Sequence, residues 1–244
     1  NQYVLSTPVL DNFELSQLPL YLILGIVCAI GSVVFSKAYL GASHIVLKMP
    51  TPRMRIWIVG GLVGSAVMFF PSLYGEGYEI VNAMFGGHSN LLAGEMTLNQ
   101  LEPKGWSLIG LLLIAWILKP VLTGMTVGAG GVAGIFAPAI FCGALLGYVY
   151  ALGLEQLVGY ELVPVGNAVL AGIGGMLAGV LHAPLTAILL AAEVSGGYAL
   201  FVPVMLTAAI SFQIAKWWVR HSIYTQELAE RGELLTHDKD HSVL

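Results

Sequence analysis

The sequence predicts an all-α integral membrane protein. Of its 244 residues, 57% are hydrophobic and only 10% charged. The mean hydropathy is +0.82. A soluble domain carries about 25% charged residues, so water is not the only solvent for this chain. The apolar residues also gather into long runs separated by short polar stretches, the pattern of helices that cross or enter a bilayer.

In chain order, a polar, proline-containing lead-in over 1–18 is followed by apolar segments at 19–43, 56–71, 106–124, 135–154, 165–181, 184–194 and 201–219. An upright crossing takes about 20 apolar residues, and the first, third and last segments approach or exceed that length. The runs at 56–70 and 184–194 are too short to cross upright. Short hydrophobic segments interrupted by Gly or Pro are expected in transporters, whose broken helices meet near the bilayer midplane. The tail reads as an amphipathic helix over 220–231, a stop at Gly232 and a polar linker, "HDKDHSVL".

Loop charges suggest an orientation. Residues 44–55 carry Lys48, Arg53 and Arg55 and no acid, which places this loop, and the tail after Arg220, in the cytoplasm. The stretch 72–105 carries Glu76, Glu79, Glu95 and Glu102 against Lys104 alone, and belongs with Glu155 and Glu161 on the other side. The net charge of −4 comes with no basic block, which argues against nucleic acid as a partner. Cys28 and Cys142 lie inside apolar runs and read as buried free thiols. The chain opens on Asn1 with no legible signal peptide, so it is expected to be a piece of a longer protein.

The stretch "GAGGVAGIFAPAIF", 128–141, breaks this apolar chain with glycine, and three readings compete for it. Gly128, Gly130 and Ala133 satisfy a dinucleotide fingerprint, but that motif needs a preceding strand in a soluble βαβ unit. Gly124/Gly128 and Gly130/Gly134 both fit G-x-x-x-G, so close helix packing is the second reading. The third is an anion site. Glycines let the chain turn, and Pro138 suits the first turn of a new helix, where an N–H is not needed. The unpaired N–H groups of Ile135, Phe136 and Ala137, with the positive end of the helix dipole, would then face an anion. A Lys or Arg in their place would hold the ion too tightly for conduction.

"GIFAP" resembles the G-x-F-x-P signature of the CLC chloride channel and chloride/proton antiporter family. "AGIGGMLAGVLHAPLTAILLAAEVSGGYALFVPVMLTAAISF" is similar to the helices that follow it in that family, and "HSIYTQELAERGELL" to its last pore helix. "PLYLILGIVCAIGSVVF" and "YGEGYEIV" resemble the start of the family's second structural repeat. The resemblance covers nearly the whole chain. It implies the C-terminal half of a CLC-type pore: a second inverted repeat with tilted, partly half-spanning helices. The first half's motifs, G-S-G-I-P and G-K/R-E-G-P, do not occur here. With them go the gating and proton-transfer glutamates that decide between passive channel and proton-coupled antiporter.

The resemblance further implies chloride as the transported ligand, with no cofactor and no metal, held by Gly134, Ile135, Phe136 and Ala137 and by the hydroxyl of Tyr224. Taken alone, Tyr224 would read as an interfacial anchor. A homodimer is implied, with contacts near 184–194 and 201–216, as are an N-terminal half of the same pore and a CBS module beyond the linker 233–244. The membrane would be the plasma (inner) membrane.

Lys119, followed by Pro120, either snorkels to the interface or adds positive potential to the ion path. Glu193 reads as a satisfied structural carboxylate away from the pore, and His182 as a hydrogen-bonded packing residue. His237 and His241 read as a solvated linker. No hydrolase motif is present, so an enzyme is not expected. A plain membrane anchor or assembly subunit is the alternative, and it gives no reason to expose backbone donors at depth.

Overall fold

The structure, a computed structural model, describes residues 10–11, 13–86, 105–194 and 197–230. The first part of the lead-in, Glu95, Glu102, Lys104, the Gly232 stop and the linker with His237 and His241 lie outside the described residues. The helices are α1 (Leu18–Leu47), α2 (Pro52–Phe69), α3 (Tyr78–Phe85), α4 (Trp106–Gly128), α5 (Phe136–Val158), α6 (Val165–Leu181), α7 (Pro184–Val194), α8 (Phe201–Trp218) and α9 (Ile223–Glu230). Among the described residues, four stretches are long and apolar enough to cross a membrane: Leu15–Leu47, Trp106–Gly128, Phe136–Val158 and Phe201–Gln226. α6 and α7 are apolar but shorter, as the short segments at 165–181 and 184–194 predict.

α6 is the centre of the bundle. Every residue from Asn167 to Val180 is buried, as expected of a helix that is apolar all round. It packs antiparallel on α5 through small residues. A Cβ at Gly143 would lie 2.7 Å from Gly172 O, and Gly147 faces the main chain of Ala168 and Val169. Such close backbone approach is how helices associate where hydrophobicity offers no preference over lipid. α1 runs parallel to both α4 and α8. Gly31 faces Trp116, Gly124 faces Tyr39, and Gly128 faces Ser43 and Val46. On the other flank Thr207 Oγ1 donates to Tyr21 O, and Gly25 meets Ile210. The outward side of α1 shows Ile23, Ile26, Ile30 and Val34 exposed at helical spacing, a stripe suited to lipid.

Charge separates the two ends of the bundle. Asp11, Glu14, Glu155 and Glu161 fall at the end where α1 begins and α5 stops; Tyr150 Oη donates to Leu20 O there at 2.7 Å. Glu161 also caps α6, its Oε1 accepting from Val165 N at 3.1 Å. At the other end Thr51 caps α2 through Met54 N, with Pro52 opening the helix. Arg55 does more there than carry charge. Its guanidinium donates to Leu47 O at 2.8 Å and to Met49 O at 2.9 Å, satisfying carbonyls at the end of α1.

The tail helix begins at Ile223, later than the 220 expected from sequence. Ser222 O accepts from both Thr225 N and Gln226 N, so the turn that starts the helix is set by Ser222. Cys28 and Cys142 are free and buried, each with its thiol toward a carbonyl: Gly172 O at 3.8 Å and Trp116 O at 3.6 Å. The ring of His182 meets Phe212 edge-on at 5.8 Å. Its packing contact is therefore aromatic. Glu193 is exposed on α7, one turn beyond Leu189.

A candidate anion site at the start of α5

The glycine stretch is two devices in sequence. Gly124 and Gly128 pack α4 on α1; a Cβ at Gly128 would lie 2.7 Å from Ser43 O and 3.0 Å from Val46 Cβ. Beyond them α4 stops. Gly130 has φ +97, its N–H donates to Val127 O, and Gly131 N–H donates to Thr126 O, both at 2.9 Å. This pair of bonds around a left-handed glycine is the Schellman termination, and it satisfies carbonyls that would otherwise be orphaned. Neither Gly130 nor Gly134 would bring a Cβ within 4 Å of any atom, so the G-x-x-x-G reading holds for Gly124/Gly128 and not for Gly130/Gly134. The dinucleotide reading fails as well, because a helix precedes the glycines where that motif needs a strand.

The chain then runs without regular structure over 131–134 and enters α5 at Phe136, with Ile135 as its cap residue. Ala139 N–H donates to Ile135 O at 3.0 Å and is the first amide of the new ladder. Pro138 has no N–H. Among the described residues, no backbone carbonyl accepts from Ile135, Phe136 or Ala137. Three donors and the positive end of a 23-residue helix are thus left at one place.

A cavity of about 450 Å³ adjoins this turn. Gly134, Ala137 and Pro138 form one wall, Lys119, Thr123 and Thr126 of α4 another, and Val63 and Val67 of α2 with the 73–76 turn the remainder. Ile135 is buried and Phe136 half-buried behind them.

Lys119 does not snorkel. It is buried, and its ammonium donates to Leu73 O at 3.0 Å and Gly75 O at 2.8 Å while lying 4.9 Å from the centre of the Phe141 ring. The segment after α2 begins as a polar loop by composition. Its first part instead folds inward, with Ser72 and Leu73 buried, because a lysine in the middle of α4 takes its carbonyls. No local signal in 71–77 reveals that partner. Tyr224 stands apart from this group. It lies in the first turn of α9, is 56% exposed, and is not among the cavity's lining residues. The structure therefore brings Lys119, Gly134 and Ala137 together around one cavity, with Ile135 and Phe136 at its edge, and leaves Tyr224 outside it.

A bundle of apolar helices with a helix start opening on a cavity is an architecture of membrane transport proteins. Residues 1–216 match the family described as Voltage gated chloride channel, and the chain belongs to that family. It is 33% identical over 181 residues to a ClcB-like protein of Ralstonia nicotianae that is named as a chloride channel, covering 74% of this chain and 38% of the relative. The fold is similar to the crystal structure of a slow cyanobacterial Cl-/H+ antiporter, with a TM-score of 0.68 and 22% identity. That match covers 95% of this chain and 51% of the antiporter chain, so the sequence spans about half the length of the solved protein.

Proposed function

We propose that the chain supplies the second half of an anion pore and that chloride passes the start of α5. The observation that carries this reading is the set of amides on Ile135, Phe136 and Ala137, left unpaired beside a cavity in an otherwise apolar bundle. Backbone donors hold a halide without the full charge that would trap it. Gly134 has no side chain to obstruct the ion. Lys119, tied to two carbonyls and sharing the cavity with Glu76, adds positive charge to its wall, and the Tyr224 hydroxyl supplies a further donor when the pore is complete. An N-terminal half of the same pore would close the open face. The basic end of the bundle would face the cytoplasm, with the acidic end opposite, in the plasma membrane. The exposed apolar residues Leu185 and Leu189 of α7 and Val202 and Met205 of α8 support a homodimer contact there. α9, Ile223–Glu230, would belong to the last pore helix, and 233–244 would lead toward a CBS module.

The test removes one donor and no side-chain atom. Replacing the Ala137 amide by an ester in the full-length protein deletes its N–H and keeps the side chain. A hydrogen bond to a charged group contributes about 1.5–3 kcal/mol, so chloride affinity measured by calorimetry should fall about tenfold to a hundredfold. Unchanged affinity would remove α5 from the ion path.

A further inference from the structure

We propose that a second cavity, bounded by α1, the end of α8 and the start of α9, binds the headgroup of an anionic phospholipid. The cavity has a volume of about 330 Å³, and its lining includes Lys37, His44, Arg220 and His221 together with Ser36 and Trp218, with no carboxylate among the lining residues. It shares no residue with the cavity at the start of α5. The cluster arises from topology. α1 and α8 run parallel, so the last third of one meets the end of the other. Lys37 and His44 are two turns apart on one face of α1, and Arg220 and His221 sit in the irregular link between α8 and α9. Among the described residues, none of the four forms an ion pair. Lys37 and Arg220 are exposed, so their charge is available to an external anion.

Excess positive charge at one end of a membrane bundle is general. Its convergence on a single concave site between helices is not, and basic pockets of this kind take phosphate-bearing lipid headgroups. Two further observations favour a lipid over a free phosphate. Trp217 and Trp218, 70% and 62% exposed, stand at the end of α8 beside the cavity, and exposed tryptophans settle at headgroup level. The exposed stripe Ile23, Ile26, Ile30 and Val34 leads along α1 to Lys37, the next residue on that face. An acyl chain attached to a headgroup at Lys37 would lie along that stripe.

The experiment compares retention of phosphatidylglycerol and phosphatidylcholine by the purified full-length protein, read by native mass spectrometry. Wild type should retain phosphatidylglycerol selectively. Lys37→Gln with Arg220→Gln should weaken that retention about fivefold per charge removed. Lys48→Gln with Arg53→Gln, the same charge change at the same end but outside the cavity, should leave it unaltered. Equal retention of the two lipids overturns the proposal, as does an equal loss in the Lys48/Arg53 control. Displacement of the lipid by millimolar inorganic phosphate would show a free-anion site and overturn the lipid assignment. A photoactivatable phosphatidylglycerol, applied to wild type alone, should label peptides spanning 36–44 and 217–221. Labelling confined to other segments refutes the site whether or not the variants fold.

Discussion

Gly124→Ala should weaken the bundle while Gly134→Ala leaves it intact, although both residues belong to one glycine-rich run. A Cβ at Gly124 would fall on the main-chain carbonyl of Tyr39, with the Tyr39 carbonyl carbon at 2.9 Å and its Cα at 3.0 Å. Carbon atoms settle at about 3.5–4.0 Å, and backbone inside a helix cannot rotate out of the way. α1 and α4 must therefore separate along their length of contact. Overpacking of this kind costs about 1–3 kcal/mol, offset by about 1 kcal/mol from alanine's better helix propensity. Contact with backbone places the cost in the upper part of its range, leaving a net loss of about 1–2 kcal/mol, or a five- to thirtyfold rise in the unfolded fraction. At Gly134 no atom lies within 4 Å and φ is not left-handed, so stability should change by less than about 0.5 kcal/mol. Its methyl group would instead occupy the wall of the cavity that Ala137 shares. Thermal unfolding in detergent measures the first effect. Chloride flux into vesicles, normalised to folded protein, measures the second, and should fall for Gly134→Ala and not for Gly124→Ala. Equal melting behaviour of the two variants would refute the division of the run into a packing part and a site part.

Lys119→Met removes the donors to the Leu73 and Gly75 carbonyls; the buried Leu73 acceptor is left unpaired at about 1–3 kcal/mol, while solvent can reach Gly75, and part of the loss is offset by no longer burying a charge. Amide exchange over 72–77 should accelerate while the rest of α4 stays protected; unchanged exchange would show that the lysine does not hold this turn. Tyr224→Phe keeps the ring and deletes one neutral donor, so chloride affinity should fall only several-fold by calorimetry, and wild-type affinity would leave Tyr224 as an interfacial anchor. Cysteines introduced at Ser16 and Pro50 bracket α1, a 30-residue helix about 45 Å long. Impermeant thiol reagents should reach them from opposite faces of sealed vesicles, with Arg220→Cys reacting from the same face as Pro50→Cys. Labelling of Ser16→Cys and Pro50→Cys from one face would contradict the orientation.

Composition and hydropathy by themselves determined that the chain is helical and built for lipid, because both depend only on which side chains are present and how long the apolar runs are. The break at 128–135 was equally legible. Glycine is the residue that tolerates a left-handed φ such as that of Gly130, and Pro138 suits a first turn, where no N–H is needed. What the tertiary structure decided is which neighbour each local feature meets. Gly124 and Gly134 look alike in sequence and differ only because the backbone of α1 lies over one of them and a cavity lies beside the other. Ser72 and Leu73 follow α2 in a Gly- and Pro-rich turn and are nonetheless buried, because Lys119, distant in sequence, donates to the Leu73 and Gly75 carbonyls. Lys37 and Arg220 read separately as ordinary basic residues. They converge because α1 and α8 run in the same direction, and strand or helix direction is a property of chain topology that no local window of sequence contains.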